Sequence, residues 1–196
     1  MNEEKLKVIK EKALEEHIPI IMDDTLEVID AYLKEMKPKR ILEIGTAVGY
    51  SAICFSKYLA EDGIIDTIER DEERIAEAKT NIKEMELDSR INIYEGDAVE
   101  ILPTLNNKYD AVFIDAAKGK YTFFLEQSLR MLDKKGIIFA DNILYKGYVL
   151  SDYNKHKQRT AVRNLREYIK QTTENAELET EILEVGDGLA ITHFCN

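Results

Sequence analysis

The chain lacks the marks of several common protein classes. Its 196 residues hold only two cysteines, Cys54 and Cys195, far apart and without metal-ligand spacing. That excludes a disulfide framework and predicts reduced core thiols of a cytoplasmic protein. Histidine is scarce too: His17, His156 and His193 show no zinc-type spacing. No apolar run is long enough to cross a membrane. The charged opening MNEEKLKVIKEKALEEH predicts an amphipathic helix, not a signal peptide. There is no internal repeat, no low-complexity tract and no Pro/Gly/Ser linker. One domain is therefore expected over 1–196, with N-terminal helices in 1–37 and the core in 38–196.

Basic charge is in deficit, with a formal net charge of −11. Such acidity argues against a general nucleic-acid binder. The deficit is uneven, however. Between Ile143 and Lys170 seven basic residues (Lys146, Lys155, Lys157, Arg159, Arg163, Arg166, Lys170) face only Asp152 and Glu167, so this segment is +5 and the remainder is −16. It is either a solvated helix face or a surface that steers an anionic partner locally.

What is present is an alternation. Short Ile-, Val- and Phe-rich runs at Arg40–Ile44, Ile64–Glu69, Ile91–Tyr94, Ala111–Asp115 and Gly136–Ala140 read as buried parallel strands. Helical periodicity separates them over Ser51–Leu59, Glu72–Met85 and Tyr121–Leu132. Two helices precede the first strand, the second with a capping box at Asp24 and Glu27 and a stripe of Leu26, Ile29, Leu33 and Met36. After the fifth strand come a loop from Asn142, a helix over about 158–171 and two strands, Leu178–Glu184 and Gly188–Phe194, joined by Val185-Gly186-Asp187-Gly188. The expected fold is α/β, doubly wound, with a mostly parallel sheet and a C-terminal antiparallel β-hairpin.

The first strand runs into EIGTAVGYS, Glu43 to Ser51. This is neither G-x-G-x-x-G nor a phosphate loop ending in Gly-Lys-Ser/Thr, so a dinucleotide or nucleoside triphosphate is not the best fit. The second strand ends in Glu69, where a carboxylate can accept from two ribose hydroxyls. The third ends in Gly96-Asp97-Ala98 and the fourth in Asp115. Each alone is an ordinary turn or cap residue. Together they point to a nucleoside held at the carboxyl ends of the strands.

These motifs resemble the class I S-adenosylmethionine-dependent methyltransferases over nearly the whole chain. The resemblance implies a Rossmann-like seven-stranded sheet. It places Gly45 by the methionine end of the cofactor, Glu69 on the ribose and Asp97 by the adenine. It also implies cofactor contacts at Met22, Glu43, Ser51, Ala98 and Asp115.

A second constellation follows. Asp115 and Lys118 lie three apart in IDAAKGKY, and Asp141-Asn142 end the next strand in IIFADNILY. Neighbouring strands lie about 5 Å apart, so two carboxylates and an amide oxygen can converge as hard ligands for Mg²⁺ or Mn²⁺. Lys118 is then either the base that takes a proton from a cation-polarised hydroxyl or a surface lysine paired with Asp115. The pattern closely resembles the metal-dependent catechol and caffeoyl-CoA O-methyltransferases. That resemblance implies Asp115, Asp141 and Asn142 as metal ligands, Lys118 as catalytic base and a substrate that chelates through two adjacent oxygens. It departs at Ala117, where many relatives carry an Asp that is not a ligand. KPKRILEIGTAVGYSAI and ADNILYKGYV further resemble the bacterial tRNA 5-hydroxyuridine methyltransferases. This makes tRNA the expected substrate, with a small catechol as the alternative and a non-catalytic cofactor-binding regulator as a third reading. Tyr145, Tyr148 and Tyr153 could form a lid or a stacking surface, or simply pack. Relatives are commonly dimers, so a homodimer is expected.

Overall fold

In the computed structural model, which describes residues 2–152, 156 and 158–195, strands and helices alternate as the hydrophobic pattern requires. The seven-stranded sheet has the order β3 (Ile91–Glu95), β2 (Ile64–Glu69), β1 (Arg40–Ile44), β4 (Tyr109–Ile114), β5 (Leu132–Ala140), β7 (Leu189–Phe194), β6 (Leu178–Leu183). The chain divides into two compact units, residues 1–105 and 106–196.

The first unit holds α1 (Glu3–Glu15), α2 (Asp23–Met36), β1 (Arg40–Ile44), α3 (Tyr50–Ser56), β2 (Ile64–Glu69), α4 (Glu72–Glu84), β3 (Ile91–Glu95) and the single turn α5 (Ala98–Ile101). β1, β2 and β3 pair in parallel, with Ile44 opposite Ile68 and Glu69 opposite Glu95. Apolar residues of β1 and β2 are buried on both faces, as parallel strands covered by helices must be. Asp66, buried within β2, meets the Arg40 guanidinium at 2.7 Å and the Asn92 amide at 2.9 Å, which offsets the desolvation of its charge.

The helices start differently from the sequence expectation in one place. α2 begins at Asp23 with Met22 in the cap position, and Met22 has no side chain to cap with. Asp24 does not form the expected capping box. Its carboxylate instead accepts from the neighbouring Thr25 amide, and both Asp23 and Asp24 sit in the first turn, where the helix dipole favours negative charge. The helix is held by burial of Ile29 and Leu33, each worth about 2 kcal/mol.

The second unit holds β4 (Tyr109–Ile114), α6 (Tyr121–Met131), β5 (Leu132–Ala140), α7 (Arg159–Thr173), β6 (Leu178–Leu183) and β7 (Leu189–Phe194). β4 and β5 are parallel. β5–β7 and β7–β6 are antiparallel, so the hairpin closes the sheet as expected. β5 starts at Leu132 rather than Gly136, since Leu132 pairs with Tyr109 before the register shifts. Gly136 is required there, because a Cβ would lie 2.7 Å from Leu132 Cδ1 and 3.0 Å from the Asp110 carbonyl. Cys54 is buried as expected, but Cys195 is exposed, because it follows the last residue of β7. Among the described residues no helix is long and apolar enough to cross a membrane.

Candidate active site

In the first unit, polar groups gather at the carboxyl ends of β1, β2 and β3. The turn after β1 needs unusual backbone angles: Gly45 has φ 107° and Gly49 φ 82°. Gly45 and Thr46 both donate to the Ile68 carbonyl, which holds the turn against β2. Gly49 caps α3 where that helix crowds α4; a Cβ there would touch Ala78 and Ile82 at 3.5 and 3.6 Å. Buried Asn81 donates to the Val48 carbonyl at 2.9 Å and braces the same turn. It was not singled out in the sequence, because it reads as one polar residue in an amphipathic helix.

Glu43 is fully buried on β1. Ser51 donates to one of its oxygens and Thr67 to the other, each at 2.5 Å. Both residues thus sit behind the Gly-rich turn as an internal brace. Glu69 ends β2, half-buried, with one oxygen taking the Ala47 amide at 2.9 Å and the other the amides of Arg70 and Asp71 at 2.8 and 3.0 Å. A carboxylate has about four acceptor positions and three are taken, so Glu69 keeps room for about one hydroxyl donor. Asp97 caps α5 through Val99 at 2.9 Å and pairs with Arg70 at 3.2 Å. Ala98 opens that helix. Gly96, at φ 145°, donates to the Glu69 carbonyl at 2.7 Å and so ties the two strand ends together. The Met22 side chain is 52% exposed at the start of α2.

In the second unit, register sets the geometry. Ile114 pairs with Ala140, so the next residue of each strand, Asp115 and Asp141, emerge side by side. The Asp141 amide extends the ladder by donating to the Ile114 carbonyl at 2.9 Å. Lys118 opens a single 3₁₀ turn just after β4. Its ammonium donates to Asn142 Oδ1 at 2.8 Å and lies 3.6 Å from Asp115 Oδ1. Asn142 reaches back this way because its backbone is left-handed, at φ 56°. All of the second constellation's residues are brought together: Asp115, Lys118, Asp141 and Asn142.

The electrostatics of this edge are strained. Burial pushes the Asp141 carboxyl up to about 7, and the neighbouring Asp115 charge adds to it. The Asn142 amide and Lys118 pull the other way. Burial also raises Asp115, against the pull of Lys118. Two carboxylates facing each other in a partly dry site favour a cation between them. Among the described residues no group of three or more His, Cys, Asp and Glu side chains could form a metal cage. The edge offers two carboxylates and the Asn142 amide oxygen.

The loop after Asn142 is held from two sides. The hairpin turn accepts from it through the Gly188 and Asp187 carbonyls, to the amides of Ile143 and Leu144, at 2.9 and 3.0 Å. The Asp187 carboxylate takes the Lys146 amide at 2.6 Å. Arg166 donates to the carbonyls of Val149 and Tyr148, at 3.0 and 3.1 Å, and to that of Ser151. Arg166 is thus committed to the loop, although its charge alone places it in the basic patch. Tyr145 and Tyr148 meet edge to face with centroids 5.9 Å apart. A cleft of about 730 Å³ is lined by Ser151 and Asp152 from this loop and by Arg159, Thr160, Arg163 and Arg166 from α7. Tyr153, Lys155 and Lys157 lie outside the described residues.

Fold and site together define an S-adenosylmethionine-dependent methyltransferase. Residues 3–194 match the O-methyltransferase family model. The chain is 35% identical over 162 residues to a catechol O-methyltransferase of Niastella koreensis, covering 78% of this chain and 72% of that one. It is 30% identical over 167 residues to the caffeoyl-CoA O-methyltransferase of Populus kitakamiensis, covering 81% and 71%. The fold matches that of an O-methyltransferase from Bacillus cereus solved in complex with SAH, with a TM-score of 0.89, 22% identity, and coverage of 100% and 92%. The chain belongs to the O-methyltransferase family, in its S-adenosylmethionine-dependent caffeoyl-CoA and catechol type.

Proposed function

We propose that this O-methyltransferase depends on a divalent cation, Mg²⁺ or Mn²⁺, and that it methylates 5-hydroxyuridine in tRNA to 5-methoxyuridine. The observation that carries the metal reading is the oxygen edge of Asp115, Asp141 and Asn142 with Lys118 beside it. Hard oxygen donors on two adjacent strand ends fit such a cation, and open positions remain for the substrate. When bound, the cation would orient two vicinal substrate oxygens and stabilise the developing oxyanion.

The rest is the work of this chain's side chains. As the neutral amine, a form that a cation at the edge would favour by repelling the ammonium, Lys118 Nζ takes the hydroxyl proton from the substrate. Its ammonium form partly neutralises the edge and donates to Asn142 Oδ1, so Asn142 must release it to become a ligand. Glu69 and Asp97 are proposed to hold the ribose and the adenine of S-adenosylmethionine. Gly45 gives the close backbone approach, with Met22, Ala98 and Asp115 as further cofactor contacts, while Glu43 and Ser51 support the turn. The sulfonium is already reactive, so the main requirement is in-line alignment of nucleophile, methyl and sulfur.

The choice of an RNA nucleoside rests on charge. α7 presents exposed Arg159 and Arg163 to the cleft beside the loop that follows Asn142. A phosphodiester chain could use them, and the tyrosine pair offers a face on which a base can stack. A catechol needs neither, although the catechol and caffeoyl-CoA relatives make a small diphenol the second reading. We also assign a homodimer, for which Val8 and Leu14, 62% and 54% exposed on α1, offer apolar surface. The decisive assay mixes the protein with labelled S-adenosylmethionine and Mg²⁺ and offers 5-hydroxyuridine-containing tRNA or a catechol panel. Label on tRNA is the expected outcome. Label on catechols alone replaces the substrate, and tight cofactor binding with label on neither favours a regulator.

A further inference from the structure

Tyr121 opens α6, and its ring is completely buried beneath the ends of β4 and β5. Nothing in the reaction described above uses it. Its hydroxyl donates to the main-chain carbonyl of Asp141 at 2.7 Å, and the same proton leans towards the Ile114 carbonyl at 3.3 Å. The backbone amide of Ala116 hydrogen-bonds the phenol oxygen. One oxygen therefore touches the residue before Asp115, the residue after it, and Asp141 itself. The ring also lies under the Lys118 ammonium, 5.9 Å from Nζ to the centroid. From below it is wedged by Tyr168, edge-on at 5.8 Å.

We infer that Tyr121 is a positioning residue for the oxygen edge, its hydroxyl locking the two strand ends at the spacing a divalent cation requires. The physical case is simple. Past Ile114 and Ala140 the parallel ladder stops. Beyond that point the Asp141 amide, bonded to the Ile114 carbonyl, joins the strands directly. Asp115 and Asp141 emerge side by side at this open end, where two like charges repel. Without a clasp they would drift apart in the metal-free protein. A buried phenol supplies the clasp without adding charge, and its ring face steadies the lysine cation. Partners of this kind, lying behind the ligands, commonly control metal affinity by about 10–100-fold.

This inference rests on the metal reading and deepens it, so the experiment reads metal binding directly. Mn²⁺ binding is followed by electron paramagnetic resonance on the full chain, without S-adenosylmethionine or substrate, for wild type, Tyr121→Phe and Tyr168→Phe. Tyr121→Phe removes one oxygen and keeps the ring. The expected result is Mn²⁺ binding about 10-fold or more weaker in Tyr121→Phe, with the far-ultraviolet spectrum unchanged. Tyr168→Phe loses a hydroxyl at the same depth but leaves the clasp intact, and should bind like wild type. A merely structural role predicts equal effects from the two variants, and that outcome overturns the inference. Wild-type affinity in Tyr121→Phe overturns it too, while leaving the metal reading in place. If wild type binds no Mn²⁺, both fall. Should Tyr121→Phe fail to fold, Tyr168→Leu removes the ring that wedges Tyr121 but spares the hydroxyl. Weakened binding there supports the clasp, and unchanged binding overturns it.

Discussion

The Lys118 ammonium donates to Asn142 Oδ1 across 2.8 Å and lies 3.6 Å from Asp115, so it already sits on two of the oxygens proposed to hold a cation. On the proposed function, a lysine in that place would be both a base near the reacting hydroxyl and a competitor for the metal. The two roles separate on mutation. Lys118→Met should lower kcat by about 10²–10⁴-fold. It should bind Mn²⁺ at least as tightly as wild type, because the competing positive charge is gone. Titration of Mn²⁺ beside a single-turnover assay checks both. Weaker metal binding in the variant would show that Lys118 supports the edge rather than competing for it.

The pH dependence of stability should be unusual. Most carboxylates gain stability from being ionised in the folded state, but Asp141 is shifted the other way, to about 7. Below about pH 4, where an unfolded Asp is also protonated, the shift contributes nothing. As pH rises towards 7 the unfolded chain loses its proton first, so folded stability falls, and the full penalty is present above pH 7. The metal-free protein should therefore melt lower at pH 8 than at pH 5.5 by this contribution. Asp141→Asn, which keeps the oxygen that accepts from the Asn142 amide, should flatten the slope and melt above wild type at pH 8. Calorimetry on chelator-treated protein decides; parallel slopes in the two proteins would refute the argument.

Glu69 tests the cofactor half of the site. Its carboxylate is proposed to hold the ribose hydroxyls, giving up an amide of Arg70 or Asp71 to do so, while bridging to the Ala47 amide of the Gly-rich turn. Charge-assisted hydrogen bonds are worth about 1.5–3 kcal/mol, so Glu69→Gln should weaken S-adenosylhomocysteine binding by about 10-fold or more. Mn²⁺ affinity should not change. Isothermal titration with each ligand separates the two effects.

The arginine cleft tests the substrate. Arg159→Glu with Arg163→Glu should raise the KM for tRNA by about 10-fold or more and flatten its dependence on salt, since each lost phosphate contact removes about one unit of slope. Arg166 is left intact because it holds the loop carbonyls. A KM for tRNA that stays at the wild-type value would move the RNA surface elsewhere.

Gly188 tests the brace on the metal loop. A Cβ at this position, with φ +92°, would fall 2.3 Å from Leu144 Cγ. Gly188→Ala should push the loop away from the hairpin turn, lower the melting temperature and weaken Mn²⁺ binding through Asn142. Retained affinity in a destabilised variant would show that the loop and the ligand are uncoupled.

Much of this was legible in the linear chain. The strands were short and β-branched, the helices periodic, and the turns rich in glycine, so the fold class and the terminal hairpin were within reach. Lys118, Asp115, Asp141 and Asn142 could be named because each sits at a strand end, and strand ends are where such sheets expose chemistry. Tyr121, Asn81 and Arg166 were not named as site residues. Each acts by hydrogen-bonding a main-chain carbonyl far away in sequence, and no local pattern encodes such a bond. The capping box at Asp24 failed for a related reason. Spacing alone suited it, but the cap position falls two residues earlier, at Met22, and α2 starts at Asp23.

The sequence by itself determined which chemical groups are available and the rough order in which they meet the sheet, because hydrophobic period and turn residues are local properties. Only the tertiary structure decided that Asp115 and Asp141 stand side by side, since that depends on the Ile114–Ala140 register. It also decided that Asn142 turns back towards Lys118, and that a buried phenol joins the two strand ends. These are long-range matters of register and packing, settled only when the whole second unit has folded.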